Sequence, residues 1–130
     1  MLRSESVAWP VTVEPRRMHE LSIMESVLEM ARARAAEEKA ARIHKIVLRI
    51  GDVSGVSLDA LTFAFEVLAR DTQAAGAELV VERVPARCRC GECDAVYEPA
   101  DPLAGCSACG ALRGSLIQGR ELELSSLEVS

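Results

Sequence analysis

Apolar residues recur at helical spacing in two segments of this chain. The first segment extends from Leu21 to about Ala41 and presents one apolar stripe, which predicts an amphipathic helix with a core face. The second begins near Ser57, a residue type that caps helix N-termini, and fades at Ala75-Gly76. The stripe of the first helix consists of Leu21, Met24, Leu28, Ala31 and Ala35.

Three other segments have the composition or alternation of β-strands. From Lys45 to Ile50 the apolar residues Ile46, Leu48 and Ile50 alternate with Lys45, Val47 and Arg49, which indicates a half-buried strand. A valine-rich run from Leu79 to Val84 predicts a second strand, and Arg120 to Val129 predicts a third. In the third, the alternation slips at Ser125-Ser126, which predicts a bulge or bend there.

The order of these segments predicts an α+β fold, with two helices packed on a small mixed β-sheet. All five cysteines fall between residues 87 and 115, where apolar periodicity is lost, so we expect a zinc-ribbon-like knuckle inserted between strands. The predicted organisation is an α/β domain from 18–86 plus 116–130 and a zinc-binding domain from 87–115. Residues 1–17 show no periodicity and are interpreted as a disordered extension or as sequence upstream of the true start.

Length and charge limit the classes of function. A chain of 130 residues has room for one modest domain and a small satellite. The net charge of −5 and the 3% aromatic content argue against a nucleic-acid partner. No apolar run approaches the roughly 20 residues of a membrane-spanning helix, and no secretory signal is apparent. We therefore expect a cytoplasmic protein whose cysteines are metal ligands or free thiols.

Two C-x-x-C pairs predict a metal site. Cys90 and Cys93 form the first pair, and Cys106 and Cys109 the second, at a separation typical of a structural zinc site with four thiolates. Four protein ligands leave no open position for water, so the site is expected to be structural. A redox dithiol and an iron–sulfur site remain as alternatives. Cys88 has the wrong spacing and is placed outside the shell, with a ligand swap with Cys90 as the alternative.

His19 is the other candidate metal ligand. If translation starts at Met18, His19 becomes the second residue, and the terminal amine, the His19 amide and its imidazole can reach one ion through short chelate rings. Nickel(II) accepts nitrogen donors in square-planar geometry, and the amide or carboxylate of Glu20 could complete the set. His44, at the start of a strand, is interpreted as a surface histidine.

The segment Met18-His19-Glu20-Leu21-Ser22 resembles the N-terminus of the HypA/HybF family of nickel-insertion accessory proteins. Ile50-Gly51, the two cysteine pairs and the closing residues Gln118 to Glu128 resemble it as well, so the similarity extends from Met18 to Val129. The resemblance implies a nickel site formed by Met18, His19 and Glu20. It also implies a structural zinc site formed by Cys90, Cys93, Cys106 and Cys109.

The resemblance also implies a function and partners. Members are not enzymes; they deliver nickel to the large subunit of [NiFe]-hydrogenase, work with a GTPase, and in some cases also serve urease maturation. A homodimer is left open, and neither nucleic acid nor membrane is an expected partner. The seventeen residues ahead of Met18 depart from the family pattern and would leave the nickel site without a free amine.

Two other classes of function compete with nickel delivery. The first is a zinc-ribbon module for nucleic acid or protein, which predicts salt-sensitive binding to DNA or RNA. A thiol oxidoreductase would need an exposed cysteine of low pKa. No arrangement of serine, histidine and aspartate suggests hydrolytic catalysis.

Overall fold

A computed structural model describes residues 2–11, 19–99 and 104–130. Within these ranges the chain forms two helices and seven strands. Their bounds are β1 Arg3–Pro10, α1 Glu20–Glu37, β2 Ile43–Gly51, α2 Leu58–Leu68, β3 Glu78–Val84, β4 Arg87–Cys90, β5 Val96–Tyr97, β6 Gly114–Gln118 and β7 Leu122–Val129. The predicted α+β class with two helices is confirmed.

Four strands form the larger sheet, in the order β1-β7-β2-β3. β1 and β7 are antiparallel. Backbone hydrogen bonds link Arg42 with Ser130 at the start of β2 and Gly51 with Glu121 at its end, so β7 and β2 also run antiparallel. The smaller sheet has the order β5-β4-β6 and lies in the chain between β3 and β7. The cysteine-bearing segment is therefore inserted between strands of the larger sheet, as predicted.

Both helices start at capping residues. Ser57 caps α2, as predicted, because its hydroxyl accepts a hydrogen bond from the Ala60 amide at 3.3 Å. α1 ends at Glu37, earlier than predicted, because Lys39 adopts a left-handed conformation (φ 55°) and the Lys39 and Ala40 amides bond back to the last turn. α2 likewise ends at Leu68, ahead of the predicted stop near Gly76.

The hydrophobic core consists of the inner faces of the helices and of the central strands. Met24, Leu28, Ala31 and Ala35 of the predicted stripe are buried, whereas Leu21 in the first turn of α1 is half exposed. Val47, predicted on the polar face of its strand, is also buried. β2 is an inner strand of its sheet, and burial of both its faces depends on tertiary neighbours that alternation within a single strand does not reveal.

The N-terminal segment departs from the prediction of a disordered extension. Arg3–Pro10 forms β1 and pairs with β7 over most of its length. The Arg34 guanidinium of α1 lies over the Trp9 ring, 4.6 Å from its centroid. An edge strand takes its hydrogen bonds from its neighbour and needs little periodicity of its own, so the local pattern gave no signal. Residues 12–18, which include Met18 of the proposed nickel site, lie outside the described residues.

The predicted irregularity at Ser125-Ser126 lies opposite a register shift. Ser6 pairs with Ser126, whereas Trp9 pairs with Leu124, so the extra residue is on β1 and not on β7.

The chain divides into two compact units. The first contains Met1–Arg49, Val56–Glu82 and Leu122–Ser130, and the second contains Ile50–Gly55 and Arg83–Glu121. The second unit is larger than the predicted zinc-binding domain of residues 87–115. Its additional segments are joined by backbone hydrogen bonds from Asp52 to Val84 and from Val53 to Gly119. No helix among the described residues is long and apolar enough to cross a membrane.

Candidate metal centre

The four cysteines of the C-x-x-C pairs lie in two matching turns of the second unit. In the first turn, Cys90 ends β4, its amide donates to the Ala95 carbonyl at 2.9 Å, and its carbonyl accepts from the Asp94 amide at 3.1 Å. In the second turn, the Cys106 amide donates to the Ala111 carbonyl at 2.8 Å. The Cys106 carbonyl accepts from the Gly110 amide at 2.7 Å. The same pattern of backbone hydrogen bonds therefore holds both cysteine turns.

Each turn needs a left-handed residue directly after its second cysteine. Gly110 takes this conformation in the second turn, with φ of 76°, and Asp94 takes it in the first, with φ of 63°. Glycine adopts it without a steric penalty, and aspartate is among the residues that tolerate it best. The equivalence of Asp94 and Gly110 shows how two different sequences form the same turn.

The turns bring the four sulfur atoms together. All four Sγ atoms lie within 4.8 Å of one another, with 3.6 Å between those of Cys90 and Cys109 and 3.7 Å between those of Cys93 and Cys106. Cys90 and Cys106 are buried, whereas Cys93 and Cys109 are exposed. Since each S–Zn bond is about 2.3 Å, sulfur atoms at these separations can share one ion after small adjustments.

Backbone amides point at the two buried sulfur atoms. The amides of Glu92 and Cys93 donate to the Cys90 sulfur at 3.4 and 3.5 Å, and the Ala108 amide donates to the Cys106 sulfur at 3.4 Å. Hydrogen bonds to a thiolate favour its charged form. Those from Cys93 and Glu92 lower the pKa of Cys90 to about 7, and those from Cys109 and Ala108 lower the pKa of Cys106.

The exposed cysteines show the opposite shift. A hydrogen bond from the Ala111 backbone favours the Cys109 thiolate, but the neighbouring sulfurs of Cys90 and Cys93 outweigh it and raise the pKa of Cys109 to about 12. Like charges this close cannot all form without a cation. The four thiolates therefore do not all form at neutral pH by themselves, and a divalent ion would stabilise all four. Its donor set suits a structural metal such as zinc.

Cys88 does not join the cluster. It lies on β4 opposite Tyr97 and packs, partly buried, against the small core that contains Cys90, Cys106 and Tyr97. Gly114 on β6 leaves room for the Tyr97 ring, because a Cβ at Gly114 would collide with the Tyr97 hydroxyl group. Tyr97 was not predicted, because its packing role depends on a strand pairing that has no local signal in the sequence.

His19 lies at the start of α1, on the surface. It is the N-cap residue, and its Nδ1 accepts weakly from the Ser22 amide at 3.4 Å, while its Nε2 lies 2.9 Å from the Ser22 hydroxyl oxygen. Among the described residues, His19 belongs to no group of three metal-binding side chains, and the four cysteines form the group that does exist.

The Glu20 carboxylate is directed toward the second helix. Its Oε1 accepts a hydrogen bond of 2.8 Å from the Ser57 amide, so it joins the first residue of α1 to the N-cap of α2. This role was not predicted, because it links residues that are 37 positions apart. His44 is exposed on β2, as predicted, and its Nε2 lies 2.6 Å from the Ser130 hydroxyl oxygen.

Comparison with known proteins identifies the family. The family of "Hydrogenase/urease nickel incorporation, metallochaperone, hypA" matches residues 18–129. The chain belongs to the HypA family. Hydrogenase maturation factor HypA of Picosynechococcus is 42% identical over 112 residues, and that of Synechococcus elongatus is 46% identical over 112 residues. Each alignment covers 86% of this chain and 99% of the relative.

Solved structures of HypA proteins share the fold. A solution structure titled as HypA protein has 27% identity and a TM-score of 0.66, and covers 87% of this chain and 97% of its own. The Ni metallochaperone HypA from Helicobacter pylori has 24% identity and a TM-score of 0.58, and covers 84% of this chain and 96% of its own. The family resemblance noted from the sequence is confirmed. The HypA family is one of nickel-incorporation metallochaperones, and its relatives above are named hydrogenase maturation factors.

Proposed function

We propose that this protein binds nickel(II) at its Met18-His19-Glu20 segment and helps to insert it into [NiFe]-hydrogenase, with zinc held by Cys90, Cys93, Cys106 and Cys109. The observation that carries the proposal is the family match from residue 18 to 129, which contains both segments. A role in urease maturation is the second destination that the family description offers.

The zinc assignment is supported by the symmetry of the two turns. The site offers four sulfur donors, and two of them accept hydrogen bonds from backbone amides. Such a donor set suits a tetrahedral ion without redox activity. When bound, zinc would supply the positive charge that lets all four thiolates form. The residues of β4–β6 include few buried side chains, so the ion would contribute much of the folding free energy of this region.

The nickel assignment is supported by the position of His19. Its imidazole is exposed, and the first amides of a helix have no intrahelical acceptor, so the His19 and Glu20 amide nitrogens suit a role as donors after losing their protons. The positive end of the helix dipole opposes a cation there. Because the amides must lose protons, nickel binds more weakly at low pH, and the helix dipole weakens the binding further. Both effects make nickel binding reversible, as a cargo site requires.

The donor set depends on residues 1–17. If they are absent from the mature protein, the Met18 amine becomes a donor; if they remain, peptide nitrogens must replace it. The pairing of Arg3–Pro10 with β7 favours a protein that keeps them.

We further propose two partners, a nickel-inserting GTPase and the large subunit of the hydrogenase. Urease maturation factors are the alternative to the large subunit. The proposed compartment is the cytoplasm. A cytoplasmic location is supported by the reduced thiols that the cysteine site needs. Whether the protein works as a homodimer is decided by mass measurement in solution.

A nucleic-acid-binding ribbon is disfavoured by the charges around the cysteines. Arg87, Arg89 and Arg113 are each paired with a carboxylate, those of Glu98, Asp94 and Glu92 respectively. With a net charge of −5 and these cations neutralised, the ribbon has little to offer a phosphate backbone.

The deciding experiment measures nickel and zinc separately in the wild type, His19→Ala and Cys93→Ala, with His44→Ala as the matched histidine control. We expect His19→Ala to lose nickel binding while it keeps zinc and its fold, and His44→Ala to keep both metals. Cys93→Ala should lose zinc. Normal nickel binding by His19→Ala would contradict the nickel site, and full zinc content in Cys93→Ala would contradict the zinc site.

A further inference from the structure

The N-terminal strand β1 closes one edge of the larger sheet. With the order β1-β7-β2-β3, β7 would be the outermost strand if β1 were absent. β7 is eight residues long, and Leu124, Leu127 and Val129 of this strand are buried. A long outer strand with unpaired amides and carbonyls is a template for the addition of another extended segment.

Contacts at both ends fix β1 in place. Near its beginning, an Arg3 guanidinium nitrogen lies 3.6 Å from a carboxylate oxygen of Glu38, directly after α1. Near its end, Trp9 lies beneath the Arg34 guanidinium, and the Val11 amide donates to the Leu122 carbonyl at 3.0 Å. These contacts involve side chains as well as backbone, so they select this segment over an arbitrary strand.

β1 is itself poorly suited to accept another strand. Pro10 removes one amide at its end, the register shift between Ser6 and Trp9 distorts its ladder, and Arg3 is charged and exposed. Proline, bulges and charge are the features by which natural sheets end without aggregating. With β1 as its outer strand, the sheet is therefore less prone to add a further strand than it would be with β7 outermost.

This segment lies outside the region shared with relatives. The family match starts at residue 18, and alignments over 112 residues already cover 99% of the two relatives above. We propose that the β7 edge is a strand-addition site for an extended peptide, and that the chain fills it with its own residues Arg3–Pro10.

The first test uses the full chain and amide hydrogen exchange. The amides of β1 that face β7, and those of β7 that face β1, should be protected. A double variant, Ser4→Pro with Glu5→Pro, removes two neighbouring amides; because neighbours point to opposite edges, one of them faces β7. Leu2→Pro, directly before the strand, is the matched control.

We expect the double variant to lose protection in β7 by at least about tenfold, while β2 stays protected and the zinc content is unchanged. Leu2→Pro should behave as the wild type. Exchange of residues 3–10 at the rate of an unstructured peptide in the wild type would overturn the proposal. Unchanged β7 protection in the double variant would do so as well.

The second test adds the strand as a separate molecule. A synthetic peptide of residues 2–11, mixed with the double variant, should restore protection of β7, whereas the same peptide with Trp9→Ala should bind more weakly because it lacks the contact with Arg34. Equal binding of a scrambled peptide of the same composition, or no binding of the native peptide at millimolar concentration, would contradict a specific site.

Discussion

Removing the Glu20 carboxylate should loosen the junction between the two helices. The Ser57 amide, which donates to Glu20 at 2.8 Å, is one of the first amides of α2 and has no partner within its own helix. A hydrogen bond to a charged group contributes about 1.5–3 kcal/mol to stability when it is well shielded from water. Since Glu20 is partly exposed and Ser57 is exposed, we discount this to about 1 kcal/mol.

Two variants of Glu20 separate its charge from its hydrogen bond. Glu20→Ala should lower the free energy of unfolding by about 1 kcal/mol, which corresponds to a fall in Tm of roughly 3–6 °C for a chain of this size. Glu20→Gln keeps an acceptor oxygen and should lose about half as much, because a neutral acceptor forms a weaker bond. Glu29→Ala removes an exposed carboxylate from the same helix and is the control.

The assay is thermal and urea unfolding of zinc-loaded protein, followed by circular dichroism, with nickel titration of the same samples. If Glu20→Ala is as stable as Glu29→Ala, the carboxylate does not stabilise the junction and the reasoning fails. Nickel affinity within about twofold of wild type in Glu20→Gln is expected if Glu20 serves nickel through its backbone nitrogen. A loss of tenfold or more would instead identify the carboxylate as a ligand.

Three further outcomes are expected of the cysteine site. Zinc binding at pH 7.5 should release roughly two to three protons, because four thiolates form while the pKa values of Cys90 and Cys106 are lowered and those of Cys93 and Cys109 are raised. Calorimetry in buffers of different ionisation enthalpy measures this number, and a value near zero would contradict the coupled cluster. Without metal, the lowered pKa of Cys90 stabilises the folded form fully above pH 9, and this contribution is lost as the pH falls through about 7. The ultraviolet absorbance of the metal-free folded protein should therefore show thiolate forming near pH 7, and its absence below pH 9 would contradict the shift. Gly110→Ala should weaken zinc binding, because a side chain at φ of 76° costs about 1 kcal/mol of backbone strain. Competition with a chelator measures the zinc affinity, and Asp94→Gly, which relieves such strain, should not weaken it.

The features that depend on residues close together in the chain were predicted from the sequence. Ser57 was identified as a cap because capping depends on the next three residues. The four clustered cysteines were identified because two C-x-x-C turns are complete within a few residues. Three strands of the larger sheet followed from alternation and composition, and the insertion between them followed from the loss of periodicity between residues 87 and 115, whereas the strands of the smaller sheet were not predicted.

Signals that depend on distant partners were missed. β1 takes its hydrogen bonds from β7, more than a hundred residues away, and its residues carry little alternation of their own. The Glu20 contact with Ser57 and the burial of Val47 depend in the same way on neighbours that only the tertiary structure supplies. The early end of α1 at Glu37 had a local cause, but lysine at the left-handed position of Lys39 lacks the glycine signature that marks most such ends.

The two proposed metal sites differ in how easily water reaches their donors, and this difference suits their proposed roles. Half of the sulfur donors are buried and receive amide hydrogen bonds, so an ion held there would exchange slowly. The His19 imidazole is exposed at the start of a helix, where the dipole opposes a cation and where its hydrogen-bond partner is the side chain of Ser22. Water and protons can reach the donors of an ion there, so it would leave more readily. If both proposed assignments hold, burial and donor type are enough to account for retention of zinc at the cysteines and release of nickel from the histidine.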